Sequence, residues 1–466
     1  MKSYKTGLFI FHRDLRNTDN TTLIEALKTC HTVYCCFIFT KEQASTENPF
    51  RSVNALSFMI ESLEDLAASI KKSGGELAFF YGSKEGEVLK KLLNEISVDC
   101  IFFNRDYTPY AVERESVIQE LCERLHIDIT TKHDLYLQEP GTITSAGSGE
   151  AYKKFTPFYE TALKRPVLPV VRNTPDNSLE KFPRNTLQKS LASIKSIILP
   201  ESVRQTKRIV EGGRKEGLLF LNRSLQTQVN YGRTRDFMNK SCSQLSAYLK
   251  FGVLSIREVY EPFNKKFGYK CEFIRQLYWR DFYAHLLFAF PEGLDGKHFK
   301  GIRWTQSKSW FSAWSSGKTG FPIVDASIRE LVETGYMHNR GRMIVASFLT
   351  KTLGLSWKLG ERFFAQQLTD YDVASNNGNW QNISSTGIYA EAYFRDMNPW
   401  IQSKKFDPDC EYIKKWVPEL ENIPINVIHK WYEYYDDDEY KGVYIKPICV
   451  YEEQKKIVLE KYEKAL

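Results

Sequence analysis

Four short apolar runs, "GLFIF" (Gly7 to Phe11), "TVYCCFIF" (Thr32 to Phe39), "LAFFY" (Leu77 to Tyr81) and "CIFF" (Cys100 to Phe103), punctuate the first part of the chain. Each is apolar on both faces, as a strand must be when helices cover both sides of its sheet. Helical patterns separate the runs, so the strands are joined by crossovers and the sheet is parallel. Between the second and third runs, Leu56, Met59, Ile60, Leu63, Ala67 and Ile70 fall on one helical face, and Gly74-Gly75 closes it. No G-x-G-x-x-G follows any run, which argues against a standard dinucleotide turn.

The pattern then changes. "EPGTITSAGSGEAYKK" and "RPVLPVVRNTPDNS" are rich in Pro, Gly and Ser, the composition of a bridge between domains. Further on the periodicity is helical, with "FIRQLYWRDFYAHLLFAF", "FPIVDASIRELVETGYM" and "RMIVASFLTKTLGL" apolar on more than one side. The division is an α/β domain over 1–137, a linker over 138–205 and a helical domain over 206–466. A polar loop and a charged helix end the sequence. With 466 residues the chain is long enough for more than one core.

Hydrophobic content of 42% and charged content of 26% are those of a soluble globular protein. No apolar run approaches the ~20 residues that span a bilayer, and the N-terminus enters a strand pattern directly, so a soluble intracellular protein is expected, without membrane contact. Nine cysteines without CxxC or Cys/His spacing support neither a disulfide framework nor a metal site, and a reducing compartment fits. A net charge of +7 is compatible with a nucleic-acid partner if it is concentrated on one face. The 14% of aromatic residues build either a Phe/Tyr-rich core or a platform for planar ligands. "DYDVASNNGNWQ" (370 to 381) poses that choice locally: its Asp, Asn and Gly are turn formers, yet Trp380 is too large to sit in a loop without burying something.

Several stretches of the helical part are distinctive in order and spacing: "SCSQLSAYLKFGVLSIREVY", "QLYWRDFY", "KTGFPIVDASIREL", "TGYMHNRGRM", the Asp370 segment and "AYFRDMNP". Together with the opening "FIFHRDLRNTDNTTL" and the later "KKFDPDCEYIKKWVPEL", they resemble the cryptochrome/photolyase family, and within it the microbial class I cyclobutane pyrimidine dimer photolyases. The resemblance spans nearly the whole chain. It implies a five-stranded parallel, Rossmann-like α/β domain and a large all-α domain holding one U-shaped FAD. The implied cofactor contacts are Tyr231, Cys242, Ser243, Gln244, Leu245, Ser246, Arg280, Asn339, Arg342, Asp370, Asp372 and Asn376. Asn376 faces flavin N5, where an amide both donates and accepts, and Asp370 pairs with Arg342. The "SCSQLS" hydroxyls and N–H groups suit phosphates at a helix start, although Cys242 stands where the family usually has Thr. Trp380, Trp357 and Trp304 match the three tryptophans of the family's electron relay.

On the substrate side the resemblance implies that Gln276, Trp279, Asn339 and Met343 contact a flipped-out dimer, and that Arg340, Arg395, Lys404 and Lys405, with Asn382, face DNA. Two positions depart from pattern. Gln276 sits where class I dimer photolyases carry Glu, and Asn382 replaces a Trp that walls the pocket. Gln276 also looks like (6-4) photolyases and cryptochromes, but (6-4) enzymes need His at the positions of Asn339 and Met343. The function implied is blue-light repair of dimers in DNA by electron transfer from reduced FAD. A cryptochrome-like photoreceptor and a (6-4) photolyase are the alternatives. "NRDYTPYAVERE" carries Tyr110 and Ala111 where the family grips folate with Asn and Glu, leaving a deazaflavin, another flavin or no antenna open. A monomer in cytoplasm or nucleus is expected.

Overall fold

The computed structural model describes residues 2–171, 178–199, 207–295, 301–388 and 394–465. Residues 172–177 and 200–205 of the stretch read as a linker, and 392 and 393 of "AYFRDMNP", lie outside them.

The four apolar runs are strands β1 (Tyr4–Phe11), β2 (Cys30–Thr40), β3 (Leu77–Gly82) and β4 (Cys100–Asn104). A fifth, β5 (Asp128–Lys132), completes a sheet of order β3-β2-β1-β4-β5, and every pairing is parallel. β1 is central, with Phe9 opposite Cys35 on one side and Phe102 on the other. Helices cover both faces. One of them, Val53–Lys72, begins where the Ser52 hydroxyl accepts the Ala55 N–H at 3.2 Å. The order of strands reverses at β1, so the segments leaving β1 and β4 diverge and open a crevice at the carboxyl edge of the sheet.

The remainder is mostly helical. Helix Glu272–Ala289 carries the "QLYWRDFY" motif, Asn339–Ser347 the "MHNRGRM" motif and Val373–Ile383 the Asn376 segment. Val373–Ile383 packs against both of the others. The stretch read as a linker contains a helix of its own, Phe155–Ala162, which packs on Glu272–Ala289. The sheet is tied to the helices by buried charge. Arg257 reaches Asp19 at 2.9 Å and Asp134 at 2.7 Å, and Arg16 pairs with the same Asp134. Buried charges of this kind are tolerated when paired and hydrogen-bonded, and Asp134 also accepts the Thr21 N–H at 3.1 Å.

Candidate flavin and DNA site

Arg342, one turn into its helix, donates from Nε to the Met337 carbonyl at 2.9 Å and from Nη2 to Asp370 at 2.9 Å. The Asp370 side chain is nearly enclosed. Asn376, one turn into the next helix, donates to the Glu361 carbonyl at 3.3 Å. Glu361 is buried, and its burial, opposed by Tyr371 and the neighbouring amides, pushes its carboxyl up to about 7. Asp372 caps the helix, accepting Ser375 N–H at 2.9 Å, and also pairs with Arg13 of the β1 loop at 2.5 Å. Burial alone would raise this carboxyl, but Arg13 and Arg280 hold it below the usual carboxylate range. Arg280 donates to the carbonyls of Leu135 (2.6 Å) and Leu249 (3.3 Å) and lies over Tyr136, so it is committed to the seam between sheet and helices.

In the "SCSQLS" stretch Leu245 is buried, Ser246 is exposed and opens the short helix Ser246–Lys250, and Gln244 has a left-handed backbone (φ 57) while accepting from Arg223 at 2.7 Å. The Ser243 carbonyl accepts from Ser224 at 3.3 Å. Cys242 is half-buried beside the Tyr336 hydroxyl, and burial pushes its thiol up. Tyr231, half-buried, sits edge-on to Phe273 at 5.4 Å.

Of the residues expected on the substrate side, Gln276, Trp279, Asn339, Arg340, Met343 and Asn382 fall on the three packed helices. Gln276 donates to the Glu272 carbonyl at 3.3 Å. Trp279 is stacked on Phe155 at 3.7 Å between centroids and 6° between planes. Motif spacing does not single out that backing ring; its only signal is the aromatic spacing in "FTPFYETA". Asn339 is exposed and its amide reaches the Met343 sulfur at 3.7 Å. Asn382 is exposed, within reach of the Tyr283 hydroxyl. Arg395, Lys404 and Lys405 are exposed, the two lysines on helix Pro399–Phe406. Arg340 is different, since it pairs with Asp236 at 2.7 Å and lies 4.2 Å over the Phe406 ring.

Trp357 and Trp380 are buried and Trp304 half-buried. Trp380 packs on the helix Trp357–Gln367 at Gly360, where a Cβ would lie 2.1 Å from its ring. A mid-helix glycine costs about 1 kcal/mol relative to alanine, which is the cost of bringing these two helices together. Trp380 meets Phe364 at 5.0 Å and Trp314 at 6.3 Å, and Trp304 meets Tyr462 at 6.1 Å, all edge-on. Trp314, fully buried, is visible in sequence only as one of the pair in "WFSAW".

On the other side of the Asp370–Asn376 segment lies a cavity of about 640 Å³ in the crevice at the sheet edge. Phe37, Phe39 and Met59 form its apolar part, and His12, Arg114 and Lys250 are among its polar lining. Burial and the adjacent Arg13 push the Lys250 ammonium down to about 7, against the pull of Asp372 and Asp106. Tyr371, Asp372 and Asn377 face this cavity.

Residues 8–181 match a family model described as DNA photolyase, and residues 273–464 one described as the FAD binding domain of DNA photolyase. The deoxyribodipyrimidine photo-lyase of Alkalihalophilus pseudofirmus is 32% identical over 454 residues, covering 92% of this chain and 91% of its own. Among solved structures, an archaeal photolyase from Sulfolobus tokodaii, described with two FAD molecules and a novel light-harvesting cofactor, superposes with TM-score 0.86 at 36% identity, covering 98% of this chain and 100% of its own. A Synechocystis cryptochrome superposes with TM-score 0.88 at 27% identity over 100% of both chains. The chain belongs to the DNA photolyase family, whose members are enzymes acting on DNA, and its cofactor is FAD. The donor set fits that cofactor: an Arg–Asp pair with a nearly buried carboxylate, a two-way amide at Asn376, and hydroxyls with main-chain groups in the "SCSQLS" turn. Among the described residues no helix is long and apolar enough to cross a membrane.

Proposed function

We propose that this chain splits cyclobutane pyrimidine dimers in DNA under blue light. The observation that carries the reading is the Asn339–Met343 contact, one helical turn long and on the same helix as Arg342. A (6-4) enzyme needs histidine at both positions to supply a proton, whereas an amide and a thioether supply none. The neighbouring His338 does not substitute. It is buried, its Nδ1 accepts the Arg340 N–H at 3.1 Å, and burial pushes it down to about 4, so it carries no extra proton at neutral pH. Dimer splitting needs only an electron out and back, with no net redox change. Reduced FAD supplies that one-electron chemistry when bound.

The chain's own residues supply the rest. Arg342 with Asp370, Asn376 and the "SCSQLS" turn would hold the cofactor, and Gln276 would donate to a carbonyl of the dimer. Trp279, immobilised by Phe155, would offer a rigid aromatic contact. Arg395, Lys404 and Lys405 would take phosphates, making affinity fall with salt. Arg340, already paired with Asp236, would act through position more than through free charge. Trp304, Trp357 and Trp380 would pass electrons inward to bring oxidised FAD to its working state.

The cavity at the sheet edge suits a second, planar chromophore: its volume is within the range of ligand sites, and aromatic rings line it. Tyr110, where folate-binding relatives carry Asn, is in that lining, 3.5 Å from the Thr40 hydroxyl. The likeness to the archaeal photolyase, which is described with two FAD molecules, supports a flavin over a folate.

Gln276, Asn382 and the likeness to the Synechocystis protein favour a second reading, a cryptochrome-like photoreceptor. Binding in the dark separates the two. A repair enzyme prefers a duplex bearing a thymine dimer over the same duplex undamaged, while equal affinity for both would favour the photoreceptor.

A further inference from the structure

Lysine is rarely buried without a partner, yet Lys351 is 2% exposed. It follows helix Asn339–Ser347 in a single widened turn, Phe348–Thr352, where the Leu353 N–H donates to the Phe348 carbonyl at 2.9 Å, five residues back. Widened turns of this kind are rare and frequently occur at functional sites. The result aims Lys351 Nζ at two distant points of the chain: the Ser385 hydroxyl at 2.8 Å and the Arg395 carbonyl at 2.6 Å. Ser385, held in a left-handed backbone (φ 56), comes just after the helix bearing Asn376, Trp380 and Asn382. Arg395 precedes the helix bearing Lys404 and Lys405. One buried ammonium therefore joins the end of the flavin-side helix to the start of the basic, exposed stretch.

We propose that Lys351 is a positioning residue for damaged DNA: by holding Ser385 and the Arg395 backbone together it sets the spacing between the pocket wall at Asn382 and the phosphate contact at Arg395. The proposal rests on the repair reading above, in which those two residues face DNA. Lys351 itself touches neither substrate nor cofactor.

The polar and charged groups around it come from two elements. Asp396 and Arg395 lie on the segment it holds, and the terminal helix Tyr451–Glu463 contributes the Tyr451 hydroxyl and Lys455, the latter 3.2 Å from Asp396. From the same helix the Tyr462 hydroxyl donates to the Ser384 carbonyl at 2.9 Å. Burial pushes the ammonium down to about 8, with Asp396 opposing and Arg395 assisting. Above that pH the clamp loses a proton and its attraction to Asp396.

The test uses the full chain loaded with FAD, as wild type, Lys351→Met and Lys351→Arg. Affinity in the dark for a duplex with one thymine dimer, and for its undamaged counterpart, is measured from about pH 6.5 to about pH 9, bracketing the lysine's titration. FAD content and the rate of flavin photoreduction are followed on the same samples. The methionine variant should bind the dimer about tenfold more weakly at neutral pH, a loss of about 1.4 kcal/mol, with FAD content and photoreduction unchanged, and should lack the wild type's alkaline loss of affinity. The arginine variant should recover affinity and carry the alkaline limb to higher pH. Wild-type dimer affinity in the methionine variant would overturn the proposal, as would loss of FAD in step with DNA affinity, which would mark a purely structural lysine. A wild type that does not discriminate the dimer would sink the repair reading first, and this proposal with it.

Discussion

On the helix Asn339–Ser347, Arg342 forms an ion pair with the nearly enclosed Asp370, whereas Asn339 at its start and Asn382 on the helix Val373–Ile383 stand in solvent. The flavin side is built in advance, with charges paired and amides placed before any ligand arrives. The residues expected to face DNA are more open, with Trp279 held rigid on Phe155. Of the two departures from the family pattern, Asn382 is exposed beside Tyr283 and Gln276 is half-buried against the Glu272 carbonyl, both apart from the Arg342–Asp370 pair. Photochemistry should therefore tolerate them, and substrate affinity should register them.

The largest effect should come from breaking the built side. Asp370→Asn leaves the half-buried Arg342 without its counter-charge, and losing a charged hydrogen bond of this kind costs about 1.5–3 kcal/mol. Thermal unfolding together with flavin content after purification measures this, and an unaltered FAD content would mean that the pair does not organise the site.

The next test is pH. Burial raises the Glu361 carboxyl from 4.5 to about 7. Between those values it is neutral in the fold and ionised in the unfolded chain, so its contribution to stability is full below about pH 4.5 and lost as pH rises to about 7. The linkage is worth at most about 3 kcal/mol. Denaturant titrations of wild type and Glu361→Gln across that window should show a steeper fall for wild type; parallel curves would contradict the burial argument.

On the open side, Asn382→Trp restores an aromatic wall and should tighten dimer binding by roughly 1–3 kcal/mol, the range for stacking on a base. Competition binding checks it, and unchanged affinity would mean that Asn382 does not reach the dimer. The relay should then separate from repair. Trp380→Phe should slow photoreduction of oxidised FAD by at least about tenfold, or about 1.4 kcal/mol in barrier. The same variant, reduced chemically, should repair as wild type does. Transient absorption gives the first rate and a repair assay the second.

How far the sequence shows these features depends on whether a feature is local. The first four strands, β1 to β4, are legible because burial on both faces makes each a short apolar run. β5, "DITTK", is half-exposed at the sheet edge and has no such run, so only the family resemblance supplies a fifth strand. The helix face from Leu56 to Ile70 is legible through its period, whereas Phe155–Ala162 is hidden in a stretch whose Gly and Ser suggest a loose bridge. In the site, motif spacing picks out the residues but says nothing of partners far away in the chain. Arg13 beside Asp372 joins residues 359 positions apart, Phe155 backs Trp279 from the bridge, and Asp236 takes Arg340. These pairings arise from tertiary packing, which leaves no periodic trace.

The most direct measurement is repair of two synthetic oligonucleotides, one carrying a thymine dimer and one a (6-4) product. Each is illuminated with the reduced protein and read by chromatography. The account predicts restored thymines from the dimer and none from the (6-4) product. Repair of neither, with a normal flavin spectrum, would contradict it, and would point to Gln276 and Asn382 as the residues that turned a repair site to another use.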